Sequence, residues 1–183
     1  MKELEVLIGE LGGMDLWIYN AGVNSYHQGF SWESERETLA VNNGGFLALV
    51  HTALRHFLNQ GHGHLVGISS IAAMRGAGRA PVYNASKAFL SNYLEGIRQR
   101  LSRTAVSVTD VRPGFVDTAM IRNMKPLFWV ARPQKAARQI ADAIRRKKKV
   151  VCVTKRWILI AWLWKLIPEG IYNGLYHKHG AKS

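Results

Sequence analysis

The amino-acid sequence predicts an α/β domain built on a parallel sheet. Three observations carry this. Short apolar runs, rich in β-branched residues, alternate with longer segments of helical periodicity. Turn-forming residues close most of these runs. No internal repeat or Pro/Ser-rich linker divides the 183 residues, a length that suits one domain. Apolar residues make up 48% and charged residues 20%, a balance that excludes a disordered or low-complexity chain.

The elements follow in order. Residues 2–11 place Leu4, Leu7, Ile8 and Leu11 at helical spacing, and Gly12-Gly13 closes that helix. Leu16 to Asn20 reads as a short buried strand. Ser31 suits a helix cap, with Glu33 and Glu35 in the first turn where the helix dipole favours acids. This helix runs toward Asn59, with a break at Gly44-Gly45. Gly61-His62-Gly63 makes a turn, and His64 to Ser70 forms a second strand around Leu65, Val66 and Ile68. A loop with Gly76, Gly78 and Pro81 leads to a helix over residues 82–102. Val106 to Val111 is a third strand, stopped by Pro113-Gly114. Pro133 opens a helix that continues over 134–148, and Val150 to Val153 is a fourth strand. Residues 156–167 are nearly all apolar and hold three of the six Trp.

Charge is divided unevenly. Residues 1–91 hold 6 Lys or Arg and 7 Asp or Glu, whereas residues 92–183 hold 19 and 5. One half is neutral and the other strongly basic, which points to an anionic partner such as a phosphate-bearing cofactor or a membrane surface. No aromatic-basic interleaving or reader motif accompanies the charge, so nucleic acid is not the expected partner. The single Cys152 excludes a disulfide framework and a Cys-rich zinc site. The His residues, among them His62, His64, His177 and His179, have no carboxylate or thiol at ligand spacing, so no metal is expected. Met1-Lys2-Glu3-Leu4-Glu5 lacks the pattern of a secretory signal, which makes a cytoplasmic setting the expectation.

Four features bear on chemistry. Asn20-Ala21-Gly22 follows a strand, where small residues let a flat ligand approach the backbone. Asn42 and Gly45 lie inside a helix that neither favours. Ser70 ends a strand, and Tyr83 and Lys87 follow on a helix at a spacing of four, which sets phenol and ammonium on one face. A nearby ammonium lowers the pKa of a tyrosine, so Tyr83 is expected to titrate closer to neutrality and to exchange a proton with an alcohol or carbonyl oxygen. Pro113-Gly114-Phe115-Val116-Asp117-Thr118 ends the third strand. All four fall at the carboxyl ends of strands, where open parallel sheets bind ligands.

Together these residues resemble the short-chain dehydrogenase/reductase family over about residues 2–154. Asn20-Ala21-Gly22 is similar to the end of the family's Asn-Asn-Ala-Gly motif, with Tyr19 in place of the first Asn. Asn42 matches the helix Asn of its catalytic tetrad. Ser70 stands 13 residues before Tyr83, and Tyr83-Asn84-Ala85-Ser86-Lys87 matches its Tyr-x-x-x-Lys box. Pro113, Gly114, Val116 and Thr118 resemble the loop that holds the nicotinamide carboxamide.

The resemblance implies a Rossmann-like doubly wound sheet, of which about four parallel strands are present. It implies an oxidoreductase that moves a hydride between NAD(P)(H) and an alcohol or carbonyl. Tyr83 is then the general acid/base, and Lys87 tunes it and holds the nicotinamide ribose. Ser70 orients the substrate oxygen, and Asn42 holds a water. Asn20, Ala21, Gly22, Pro113, Gly114, Val116 and Thr118 complete the cofactor contacts. The family's opening strand, Gly-rich phosphate turn and following strands have no counterpart here, a segment of roughly sixty residues at about thirty per βαβ unit. The expectation is therefore an N-terminally truncated domain over residues 1–154, with Leu16–Asn20 as an apolar sheet edge. NADP or NAD is expected, with the preference set in the segment that has no counterpart.

Residues 155–183 form a separate basic, apolar helical segment. The run from Trp157 to Ile167 is too short to span a bilayer. Two roles fit it: packing on the body as a substrate lid or subunit contact, and peripheral contact with an anionic membrane. The expected partners are a small, apolar alcohol or ketone and a second copy of the chain. The alternative to an enzyme is a non-catalytic fragment or scaffold, held at a membrane or partner chain by this tail.

Overall fold

Four parallel strands lie in the order β1-β2-β3-β4, the sequence order. They are β1 (Leu16–Tyr19), β2 (Gly63–Ile68), β3 (Val106–Pro113) and β4 (Val150–Val153). The computed structural model describes residues 2–24, 31–121 and 127–180; the side chains of His177 and His179 lie outside what it describes. Register is continuous across the sheet, with Ile18 opposite Val66, Val66 opposite Thr109, and Val111 opposite Val151. The helices are α1 (Lys2–Glu10), α2 (Trp32–Leu39), α3 (Gly45–Gln60), α4 (Pro81–Arg100), α5 (Pro133–Arg145), α6 (Trp157–Leu166) and α7 (Glu169–Gly180).

Helices cover both faces, as a doubly wound sheet requires. On one face Trp17, Tyr19, Leu65, Val106 and Val108 meet Phe46, Val50 and Phe57 of α3 and Leu90, Leu94 and Ile97 of α4. On the other, Val66, Val111 and Val153 meet Ala136, Ile140 and Ile144 of α5. Alternate strand residues feed the two layers because side chains alternate across a strand. Among the described residues β1 pairs only with β2 and forms one edge of the sheet. Its outward residues Leu16 and Ile18 are 42% and 44% exposed, which matches the apolar edge expected from the sequence.

Several boundaries differ from expectation. β3 runs two residues past Val111, because Arg112 and Pro113 still pair with Cys152 and Val153 of the outermost strand. A Pro ends a ladder only where its missing N–H is needed. The strand predicted from His64 to Ser70 stops at Ile68. Ser70 instead caps a 3₁₀ turn over Ile71–Met74, its Oγ accepting from Ala72 N at 3.1 Å. α7 was not anticipated as a separate helix.

The expected helix break at Gly44-Gly45 is a π-helical turn over Ala40–Gly44 joining α2 to α3. Tyr19 explains it in part. Its buried hydroxyl donates to Val41 O at 2.5 Å, and a Cβ on Gly45 would stand 2.8 Å from that oxygen. Tyr19 and Gly45 are therefore one packing unit. Gly45→Ala is expected to cost about 1–3 kcal/mol by overpacking. In a Tyr19→Phe background the same change becomes neutral, or stabilising by up to about 1 kcal/mol through helix propensity. Urea unfolding of the four proteins checks this, and an equal cost in both backgrounds would separate the two residues.

Candidate active site

The carboxyl ends of β1, β2 and β3 open into a cavity of about 680 Å³. Asn20, Gly22, Ser70, Tyr83, Lys87, Pro113, Gly114, Val116 and Thr118 all line it. Nine of the eleven residues singled out in the sequence thus share one space. Ala21 and Asn42 do not line it, and Asn42 acts from behind its wall.

Asn42 is 1% exposed. Its Oδ1 accepts from Val23 N at 2.8 Å, and its Nδ2 donates to Val23 O at 3.0 Å and Ser86 Oγ at 2.9 Å. Both amide hydrogens are committed, so the side chain has no donor left for a water. What it does is fasten the loop after β1 to α4. Asn43 adds a second staple, donating to Ser86 O at 3.0 Å. Ser86 completes the set by donating to Tyr83 O at 2.8 Å. Both amides sit in the π turn. Neither Asn43 nor Ser86 was singled out in the sequence, although the unusual Asn42-Asn43 pair within a helix was a usable signal.

Ser69 and Ser70 face opposite ways. Ser69 Oγ donates to buried Asp110 Oδ1 at 2.5 Å, and Asp110 also pairs with Arg112 Nε at 2.7 Å. Ser70 faces the cavity, with its Oγ 3.4 Å from Pro113 O and hydrogen-bonded to the Tyr83 phenol. The alternation of the chain beyond β2 gives one serine to the core and the other to the site.

Tyr83 and Lys87 lie on one face of α4, as their spacing requires. The lowered tyrosine pKa expected from that spacing is not found. Burial raises the Tyr83 phenol above its ordinary value, and the Ser70 hydrogen bond opposes this only in part. The Lys87 ammonium stands 5.7 Å from the centre of the Tyr83 ring and donates to Ile68 O at 3.0 Å. Its charge does not outweigh the phenol's loss of water.

Lys87 is itself perturbed. Burial pushes its pKa down to about 8, and the Asp110 carboxylate works against that. A lysine at about 8 when folded and 10.5 when unfolded releases its proton earlier in the folded state. Between those values the unfolded chain holds more protons, so stability rises with pH. Wild-type stability relative to Lys87→Met is expected to grow by about 1.5 kcal/mol between about pH 8 and about pH 9.5. Urea unfolding at both pH values measures it, and a constant difference would mean that Lys87 titrates normally.

The far wall is aromatic and comes from the C-terminal part. Phe115 and Phe128 pack on buried Trp157, with ring centres 5.3 and 5.2 Å away. Trp157 sits where a Cβ on Gly114 would lie, 2.1 Å from the indole nitrogen, so the loop after β3 requires glycine there. Trp164 of α6 and Tyr172 of α7 line the cavity. Arg75 holds both helices in place. Its Nη1 donates to Trp164 O and Ile167 O at 2.6 Å each, where the end of α6 leaves carbonyls without helical partners. Its guanidinium lies 3.9 Å above the Tyr172 ring, and Tyr172 donates to Gly76 O at 2.9 Å. Arg75 was not singled out in the sequence, since an isolated Arg in a loop carries no signal of a partner 89 residues away.

The surroundings suit the nicotinamide end of a dinucleotide. A Cβ on Gly22 would stand 3.1 Å from Lys87 Nζ and 3.4 Å from Asn42 Oδ1, so a bare backbone passes beside the ammonium. Asn24 lines the cavity and keeps a buried Oδ1 without a hydrogen-bond partner. Among the described residues, no Gly-rich strand–turn–helix offers a seat for the pyrophosphate.

The chain belongs to the short chain dehydrogenase family, whose family model matches residues 2–127. An uncharacterised oxidoreductase of Myxococcus xanthus (strain DK1622) is 31% identical over 176 residues, which are 94% of this chain and 70% of that protein. An uncharacterised oxidoreductase of Staphylococcus aureus (strain MW2) is 35% identical over 121 residues, 63% of this chain and 51% of the relative. The chain thus spans between about half and 70% of these relatives. A short chain dehydrogenase from Burkholderia cenocepacia J2315, crystallised with NADP, superposes with a TM-score of 0.80 over 97% of this chain and 75% of that one. It is 23% identical, a level at which the likeness establishes the fold.

Proposed function

We propose that the protein is an NAD(P)-dependent oxidoreductase interconverting an apolar ketone and its alcohol. One observation carries the reading: Ser70, Tyr83 and Lys87 converge on a single cavity at the carboxyl ends of the strands. Tyr83 is the general acid/base, passing its phenolic proton to the substrate oxygen in reduction and recovering it in oxidation. A phenol kept protonated by burial suits the reducing direction. Ser70, already bonded to that phenol, holds the same oxygen. The Lys87 ammonium supplies positive charge beside Tyr83, which favours the phenolate left when the proton departs.

Asn20, Gly22, Lys87 and the Pro113–Thr118 loop would hold the cofactor, which when bound supplies or accepts the hydride. Asn42 positions: it holds the loop carrying Gly22 against α4. NADP is taken first because the second half of the chain is so basic, with NAD as the alternative. Phe115, Phe128, Trp164 and Tyr172 give the substrate side an aromatic wall, which selects apolar molecules.

The test is loss of nicotinamide absorbance when NADPH or NADH is mixed with the protein and a panel of apolar ketones. Turnover of at least one ketone, lost in Ser70→Ala, is expected. A folded, nucleotide-binding protein that turns over none of them, nor the matching alcohols in reverse, would overturn the proposal.

A further inference from the structure

We propose that the outward face of α6 seats the protein on an anionic membrane surface. The helix is apolar almost throughout, but it uses only one side for packing. Trp157 and Trp164 point inward, one buried and the other lining the cavity. The opposite side holds Leu159, Trp162, Leu163 and Leu166, which are 72%, 61%, 61% and 73% exposed. Helical spacing gathers these four into a stripe about 100° wide, the width that a surface helix normally buries. Here nothing in the described chain covers it.

The charges around the stripe identify what does. Arg156 and Lys165 flank it at helical spacing, and Lys155 precedes it; all three are exposed. Arg156 also lies 6.0 Å over the ring of Trp129, itself 47% exposed. Residues 143–168 contain eight Lys or Arg and no Asp or Glu; of the two acids that bound this stretch, Asp142 pairs with Arg145 and Arg146, which leaves Glu169 as the one carboxylate near the cations of α6 in sequence. A second copy meeting this face with its own would set like charges together. A bilayer interface with acidic headgroups offers the opposite: acyl chains for the leucines, a headgroup boundary for Trp162 and Trp129, and phosphates for the cations. Among the described residues no helix is long and apolar enough to cross a membrane, so the contact is peripheral.

This inference stands on the surface alone and holds whether or not the cavity is catalytic. If the cavity is catalytic, the same helix contributes its inner face to the substrate pocket and its outer face to the bilayer. Apolar substrates dissolved in the membrane would then be held beside the cavity.

Co-sedimentation with vesicles tests it. One set is pure phosphatidylcholine, and the other is phosphatidylcholine with one third phosphatidylglycerol. Binding to the anionic set and little to the neutral set is expected. Trp162→Ser with Leu163→Ser should abolish it, and Lys155→Gln with Lys165→Gln should weaken it about thirtyfold. These side chains are exposed, so circular dichroism and thermal unfolding should match wild type and show that each variant folds. Failure of the wild-type protein to bind anionic vesicles would overturn the proposal, as would undiminished binding by the folded variants. A dimer in light scattering that the Ser variant dissolves, without vesicle binding, would assign the face to a second copy instead.

Discussion

Tyr83→Phe is expected to lower turnover about 10²- to 10⁴-fold, the usual contribution of a positioned acid/base, while leaving nucleotide binding intact. The substitution removes one oxygen. The ring that lies under the Lys87 ammonium stays, and so does the volume it fills. Ser70 loses one hydrogen bond but keeps those to Ala72 N and Pro113 O, so the cavity persists. The loss should therefore fall on kcat with KM for nucleotide nearly unchanged, as expected when the missing interaction belongs to the transition state. A rate within about tenfold of wild type would leave proton transfer to another group.

Asn42→Ala is expected to be the most destabilising single change in the site. It strands the Val23 N–H and the Val23 carbonyl and leaves Ser86 Oγ without its donor, in a region where Asn42 itself is 1% exposed. At about 1–3 kcal/mol for each unsatisfied buried group, and with some rescue by water, the loss should be about 3 kcal/mol. For a chain of this size that lowers Tm by about 10 °C. Asn42→Asp keeps the acceptor for Val23 N–H but loses both donors, and should fall between. Nucleotide affinity should drop with stability, because Gly22 lies against Asn42 and Lys87 and shifts when the loop is released. A Tm within about 2 °C of wild type would mean that the loop is held by other contacts.

The fold was largely legible in the sequence because its central strands, β2 and β3, are buried on both faces. Runs such as Leu65-Val66 and Val106 to Val111 stand out when both sides of a sheet are covered. The Tyr83–Lys87 pair and Ser70 were legible because helix geometry and the alternation of a strand convert spacing into a shared direction. What spacing could not convey is where a flexible side chain ends. Lys87 donates to the Ile68 carbonyl and lies over the Tyr83 ring, and burial of the phenol, which spacing does not show, sets the direction of the tyrosine shift. Asn42 was recognised by position, yet its three hydrogen bonds depend on a π turn that the sequence shows only as residues disfavoured in a helix. The Tyr19–Gly45 pair is 26 positions apart, and Arg75 and Trp164 are 89 apart; neither partner marks the other.

The C-terminal segment shows the same division. Its apolar run was evident, but packing and membrane contact stood as rival readings. The structure lets both hold, since Trp157 and Trp164 serve the body while Leu159, Trp162, Leu163 and Leu166 face outward. Arg75 fixes which side is which by gripping the end of α6.

The central claim is that the cavity around Tyr83 and Lys87 is a nicotinamide site. Calorimetric titration of NADPH, then NADH, into the folded protein and its Lys87→Met variant tests this most directly. Saturable one-to-one binding of at least one nucleotide is expected, weakened about tenfold or more in the variant through loss of a charged hydrogen-bond donor. A folded protein that takes up neither nucleotide, or a variant that binds as tightly as wild type, would contradict it.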